Sequence, residues 1–342
     1  MGLGSNQTTI TTSANFIPEQ WSDEVIARYK QKLVVANLVT KMSFKGKKGD
    51  TLHIPVPARG EASSKAANTQ VTLIADTATL VDVLINKHFE YSKLYEDIAE
   101  MQALSSMRKF YTDDGGYALA KKVDQDLMLQ GHYFQSGNTT PSLTNVWETA
   151  VIGGDGSTTF DGSGDGNATA MTDAGLRRAI QTLEDSDIES GDLALVIPPV
   201  EARVLRGIAR FTEQAFKGDG STLKTGMLGD LYGVTVYTSS NCPWIHCEGT
   251  DDATATNFSS TALSGSGTDS FGLSYDFTGH TDTKYRACLL MSKDAVIHAE
   301  QMGIRTQAQY KQEYLGTLVT SDTIYGVKTA RDYAGISIIV PA

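Results

Sequence analysis

The chain has 342 residues, of which 40% are hydrophobic and 20% charged, enough to bury a sizeable core in two lobes and too apolar for a disordered polymer. Its net charge of −11 argues against non-specific nucleic-acid binding as the main task. Three cysteines make no even disulfide framework and suit a reducing compartment; the polar start lacks the layout of a secretion signal, and no run nears the roughly 18 apolar residues that span a bilayer.

Charge is unevenly spread. Residues 1–60 hold eight basic and four acidic side chains, whereas residues 136–196 hold two and ten. Such polarity fits head-to-tail packing of like subunits as well as a solvated acidic surface.

Residues 1–15 are rich in Thr, Ser and Asn. Ser22 can cap a helix with Asp23 and Glu24 in its first turn, and Val25, Ile26, Tyr29, Leu33 and Val34 recur along one stripe. This reads as an N-terminal arm over residues 1–48. Residues 49–93 read as a long hairpin: Leu52, Ile54 and Val56 alternate beside Pro55 and Pro57, which mark an exposed strand. On the return, Val81, Val83, Ile85, Phe89 and Tyr91 share one face, and Asp82, Asn86, His88 and Glu90 the other. A two-stranded arm is marginally stable alone and implies something to lie against.

Residues 96–134 give the strongest helical pattern, stepping through Leu119, Val123, Leu127 and Gln130, with a bend or close packing expected at Gly115-Gly116. After a Gly/Asp/Thr-rich loop at 136–170, an α/β lobe follows. Thr172 and Asp173 cap a helix striped by Leu176, Ala179, Ile180 and Leu183, and Leu193–Ile197 is a buried strand. Pro198-Pro199 opens a helix with Val200, Val204, Ile208 and Phe211 inward, and Val234–Thr238 is another strand. Residues 249–284 contain 19 Gly, Ser or Thr in 36 and read as a surface insertion. Ala287–Met291, an alternating run around Ile304–Lys311, and Ile336–Val340 make the end of the chain β-rich.

Candidate chemistry is sparse. Cys242, His246 and Cys247 offer two thiols and an imidazole at zinc-compatible spacing, but no second pair follows, so reduced cysteines at a strand end are the better reading. Asp161, Ser163 and Asp165 match part of a calcium loop, yet Thr172 stands where the bidentate carboxylate belongs. No phosphate loop, nucleophile elbow or zinc-protease motif is present. The reading is therefore a non-enzyme with no cofactor, no metal and no membrane contact. The rival in this class is a cytoplasmic metal-binding protein or enzyme using Cys242, His246 and Cys247.

Several stretches resemble, in order, the major capsid proteins of tailed phages with the HK97-like fold. They are Phe16-Ile-Pro-Glu-Gln-Trp-Ser-Asp-Glu, Gly46 through Pro57, Tyr117-Ala-Leu-Ala-Lys-Lys-Val-Asp-Gln-Asp126, Gly229-Asp-Leu-Tyr-Gly-Val-Thr-Val-Tyr-Thr238, Ala287 to Val296, and Ile324-Tyr-Gly-Val-Lys328. The resemblance implies an α+β fold with an arm (1–48), an extended β-hairpin loop (49–93) and a peripheral domain with a long spine helix (94–137). An α/β axial domain (138–300) with the insertion at 249–284 and a return to the peripheral domain (301–342) complete it.

It further implies a structural subunit forming hexamers and pentamers of an icosahedral shell, assembled in a host bacterial cytoplasm and resident in the virion. The shell would enclose double-stranded DNA without sequence-specific binding. With arm-like residues beginning near Phe16, a separate scaffolding protein is expected, alongside a portal and cement proteins. Trp21, Tyr29 and Leu33 in the arm and Arg59, Glu61 and Lys65 at the hairpin tip are the expected contacts between subunits. An encapsulin-like compartment shell is the alternative with the same architecture.

Overall fold

A computed structural model describes residues 33–43, 49–56, 62, 64–71, 73, 79–97, 106–134, 151–156, 169–208, 229–247, 256–260, 266–268, 274–276 and 284–342. Many of its strands and helices carry the matching hydrophobic period, two in strands and three to four in helices.

The first sheet is a long, narrow one. Strands β1 (Thr40–Ser43), β4 (Lys87–Glu96), β14 (Val296–Lys311) and β15 (Gly316–Thr329) lie in the order β1-β14-β15-β4. The β14–β15 hairpin forms its spine, with irregular register between Glu300 and Arg305, whereas β15 and β4 pair without interruption. Helix α1 (Ser106–Leu129) packs against this sheet, continued by a short 3-10 turn, Gln130–Tyr133. Leu119, Leu127 and Gln130 of the expected stripe are buried, joined by Met128, while Val123 is half-buried. Gly115 is the site of close packing: a Cβ there would stand 2.7 Å from the Tyr91 ring of β4.

Strands β2 (Thr51–Val56) and β3 (Thr79–Leu84) pair antiparallel as a separate two-stranded sheet, Thr51 opposite Leu84 and Val56 opposite Thr79. The return of the hairpin is thus two strands, β3 and then β4 in the four-stranded sheet. The alternation runs through both: Val83 and Ile85 are buried and Phe89 and Tyr91 half-buried, while Asp82, Asn86, His88 and Glu90 are exposed. The hairpin's base crosses β15 closely at Gly326, where an added Cβ would lie 2.4 Å from the Leu84 carbonyl oxygen. Backbone cannot swing aside as a side chain can. Gly326→Ala is expected to lower the unfolding free energy by about 1–3 kcal/mol in chemical denaturation; an unchanged midpoint would show that β3 yields freely.

The second sheet forms the α/β lobe. Its main path is β10 (Thr256–Ser259), β9 (Trp244–Cys247), β13 (Lys284–Ser292), β6 (Leu193–Ile197), β8 (Val234–Thr238) and β7 (Asp230–Leu231). Strand β16 (Gly335–Pro341) pairs with β13 and with β5 (Val151–Gly153). Among the described residues, strands β11 (Ser266–Thr268) and β12 (Ser274–Asp276) pair only with each other. The insertion at 249–284 therefore supplies β10 to the edge of the lobe's sheet.

Both faces of β13 are buried, so its sequence is continuously apolar rather than alternating. Ala287, Leu289 and Met291 face one core with Leu127, Met128 and Phe134 from the α1 region; Cys288 and Leu290 face another, under helix α2 (Asp173–Glu184) and helix α3 (Pro199–Gly207). The α2 stripe is buried as expected, and the Thr172 hydroxyl accepts from the Gly175 N–H at 3.0 Å as an N-cap.

The inward face of α3 differs from the expectation. Val200 is exposed, the helix ends at Gly207, Ile208 is only half-buried, and Phe211 lies outside the described residues; Glu201, Ala202 and Leu205 face inward. Glu201 is tolerated there because its carboxylate accepts the Met171 N–H at 3.0 Å. Burial pushes that carboxyl's pKa upward against this hydrogen bond and the pull of Arg203.

Candidate assembly surfaces

Residues 34–39 are locked into the core. Val34, Val35 and Val39 are buried, and Val35 and Val39 pack with Leu127, Met128 and Ile339. Asp124 on α1 organises this junction. One oxygen, Oδ1, accepts the N–H groups of Val34 (3.2 Å) and Val35 (2.9 Å), the entry of the 3-10 turn Val35–Asn37; Oδ2 accepts the Asn241 side-chain amide at 3.1 Å. A single fully buried carboxylate thus joins the segment at Val34 and Val35, helix α1 and the α/β lobe. Burial pushes the Asp124 pKa up, opposed by the hydrogen bonds from Asn241 and the arm's backbone.

A second buried carboxylate ties the sheet to the helix. Asp126 meets Lys87 of β4 at 2.9 Å, Lys122 at 3.2 Å, and the Tyr325 hydroxyl, which donates to it at 2.8 Å. Burial and this carboxylate together raise the pKa of the Tyr325 phenol. On a third side, Thr329 donates to the Gln130 carbonyl and Ser337 to the Gly131 carbonyl. The two lobes are therefore held by polar contacts as well as by the shared core.

Several large apolar side chains stand exposed on the hairpin and the four-stranded sheet. On the hairpin, Val56 and Leu84 are partly exposed, Leu80 is 63% exposed, and Leu73 on the connecting segment is 94% exposed. At the far end of the four-stranded sheet, Ile304, Tyr310, Tyr314 and Leu315 are exposed, Leu315 with a positive φ of 44°. Exposed large side chains on these two extended elements are candidates for interaction surface.

The open face of that sheet carries a charged ladder. Asp322 on β15 takes both Arg305 donors, Nε at 2.8 Å and a terminal nitrogen at 3.0 Å, and His88 Nε2 at 3.1 Å. The Arg305 guanidinium, helped by His88, holds the Asp322 carboxyl below its ordinary pKa despite some desolvation. A depressed folded pKa contributes stability that is present above the unfolded value and lost as pH falls through the folded one. Asp322→Asn should flatten the acid limb of a stability–pH curve below about pH 4; a limb as steep as that of the parent would contradict this role.

Of the contact residues expected from sequence, Trp21, Tyr29, Arg59 and Glu61 lie outside the described residues. Leu33 is half-buried at the arm's base, adjoining the Asp124 junction. Lys65 is exposed on the hairpin's connecting segment.

The metal-binding alternative finds little chemical support. Cys242 is buried with its thiol donating to the Ser239 carbonyl, and burial pushes its pKa up to about 12, away from the thiolate that zinc requires. His246 and Cys247 belong to β9, but their side chains fall outside the described residues, as does the calcium-like stretch from Asp161 to Asp165. Cys288 sits in the core between β13 and the helices. Among the described residues, no three metal-binding side chains converge, and no helix is long and apolar enough to cross a membrane.

Sequence reasoning missed the Asp124 junction. Its only trace was an acidic residue beside an apolar helical stripe, and its partners lie 89 to 117 positions away. Also missed was Arg286, which stacks on the Trp244 ring at 4.1 Å and donates to the Ser240 carbonyl, fixing the loop before β9.

No family model matches the chain, and no curated protein matches it. Solved structures do. A chain from Mycobacterium phage Che8 is 21% identical, matching 95% of this chain and 97% of that one with a TM-score of 0.66. A chain in the capsid of cyanophage P-SCSP1u is 17% identical over 99% and 97%, with a TM-score of 0.70. A chain in the capsid of Ralstonia phage GP4 is 14% identical over 98% of each, with a TM-score of 0.65. Along almost its whole length, this mixed α and β chain has the fold of phage capsid chains.

Proposed function

We propose that this protein is the major capsid protein of a tailed, double-stranded DNA phage, with the HK97-like fold and a purely structural task. The observation that carries the reading is the end-to-end likeness: the match spans 95–99% of this chain and 97–98% of each of those three relatives, so no part of their architecture need be added or removed. The surface supports it independently. A hairpin and a sheet end that expose Leu73, Leu80, Tyr314 and Leu315 are poorly suited to a solitary chain and well suited to one buried among copies of itself.

In this reading hexamers and pentamers close an icosahedral shell around the genome. The arm (1–48) and the extended loop (49–93) reach neighbours, with Trp21, Tyr29, Leu33, Arg59, Glu61 and Lys65 among the contacts. The peripheral domain (94–137 and 301–342) and the axial domain (138–300) form the body. A separate scaffolding protein sets curvature, a portal occupies one vertex, and cement proteins can bind outside. Assembly takes place in the bacterial cytoplasm and the product is the virion capsid.

Sedimentation velocity of the expressed chain tests the reading. The expected result is a megadalton boundary or discrete capsomers; a lone monomer at every concentration, with and without scaffolding protein, would overturn it.

A further inference from the structure

We infer that His298 is an acid-sensitive latch: neutral, it lets strand β1 seat on β14, and on taking a proton it releases β1 from the four-stranded sheet. The device goes beyond the proposed function and belongs to the single chain, whether or not that chain meets other copies.

His298 lies on β14 with 9% of its surface exposed, opposite Lys41 of β1 and Val327 of β15. Its ring stands 5.6 Å from the Tyr325 ring, centroid to centroid, tilted by 54°. Both ring nitrogens are buried and meet no hydrogen-bond partner. A neutral imidazole carries one donor and one acceptor, so both go unsatisfied here, as buried polar groups rarely do. Phenylalanine would fill the same place with the same ring contact and without that cost. What histidine adds at this position is the capacity to take a proton.

The surroundings resist that proton while the strand is seated. Burial holds the His298 pKa below the ordinary 6.5, against the pull of Glu300 on its own strand and with the help of Lys41 across from it. Lys41 is kept close by its own bond to the Asn37 side chain, 3.2 Å, so a protonated His298 sets like charges opposite each other in the β1–β14 register. From β15 the facing group is Tyr325, whose hydroxyl donates to Asp126 of α1. That carboxylate is already committed to Lys87 of β4 and Lys122 of α1.

Of the two strands flanking His298, β1 is the one that yields. It has four residues against fourteen in β15, pairs in parallel, and among the described residues forms an edge of the sheet. Beyond its ladder it is held by the Thr40 N–H, which donates to the Lys293 carbonyl at 3.1 Å, and by half-buried Met42. Short edge elements open at low free-energy cost, and buried Val39 just before β1 marks where the opening stops. Lifting β1 brings water to the ring, which then takes its proton at the ordinary value. Because the folded pKa is depressed, the closed strand has its full stability above about pH 6.5 and loses it as pH falls toward the folded value. Within that window opening rises by up to about tenfold per pH unit.

Hydrogen exchange of the full-length, unassembled chain at about pH 7.5 and about pH 5.5, corrected for the intrinsic pH dependence of amide exchange, tests the latch. The expected result is a loss of protection of about tenfold over Thr40–Ser43 in the parent, with little change in β4 and β15. In His298→Phe the same amides should stay protected at both pH values, since the ring contact remains and no proton can be taken. No loss in the parent, an equal loss in His298→Phe, or a loss of the same size across β4 and β15 would overturn the inference. Should His298→Phe not fold, His298→Leu, equally unable to take a proton, stands in its place with the same outcomes.

Discussion

Replacing Asp124 with alanine is expected to lower the unfolding free energy of the unassembled subunit by about 3 kcal/mol or more. The change strips the acceptor from three donors at once: the N–H groups of Val34 and Val35 and the Asn241 amide, all belonging to buried residues. Each orphaned buried donor costs roughly 1–3 kcal/mol, so even the lower bound sums to a large fraction of a domain's stability. Asp124→Asn separates polarity from volume. It keeps an oxygen for the two backbone donors, and the Asn241 amide can turn to present its own oxygen, so a loss near about 1 kcal/mol is expected.

The pH dependence has a defined sign. Because burial raises the folded pKa of Asp124, its contribution is fully present below the unfolded pKa and is lost as pH rises through the folded one. The asparagine variant should lack that dependence. Urea denaturation of parent, alanine and asparagine proteins across pH checks both points, and an alanine variant within about 0.5 kcal/mol of the parent would contradict the junction.

The second large effect concerns where the arm begins. Removing residues 1–32 is expected to leave the body folded and abolish closed shells. Removing residues 1–40 should damage the fold itself, because it takes away Val34, Val35 and Val39, three buried side chains, together with two of the donors on Asp124. Burying a valine contributes on the order of 1.5–3 kcal/mol, so the longer truncation should lose several kcal/mol relative to the shorter one. An arm over residues 1–48, as the sequence reads, would let deletion through residue 40 spare the fold. That expectation is revised, since residues 33–43 are built into the core and into β1. Thermal unfolding of both truncations tests the boundary; equal stability would place it after residue 40.

Regular elements were legible wherever local periodicity met tertiary demand. Helix α2 and strands β6 and β8 match the expected bounds because each has a cap or an apolar run confined to its own length. The α3 face was misread because apolar spacing alone placed Val200 inward, and only the Met171 N–H from another segment makes Glu201 an inward residue. The hairpin's return concealed a change of sheet between Leu84 and Lys87, since one period of two runs through both strands. The Asp124 junction and the Arg286–Trp244 stack depend on contacts between segments distant in the chain, which no local pattern encodes.

What sequence conveyed best about function was the order of parts, an expected arm followed by a long hairpin, elements that need something to lie against.

Electron microscopy of the chain expressed with its scaffolding protein tests the central claim most directly. The account predicts closed icosahedral shells of uniform diameter with hexameric and pentameric units, in which the β2–β3 hairpin of one subunit lies on another. Dispersed single subunits, or a purified protein that never forms capsomers, would contradict it.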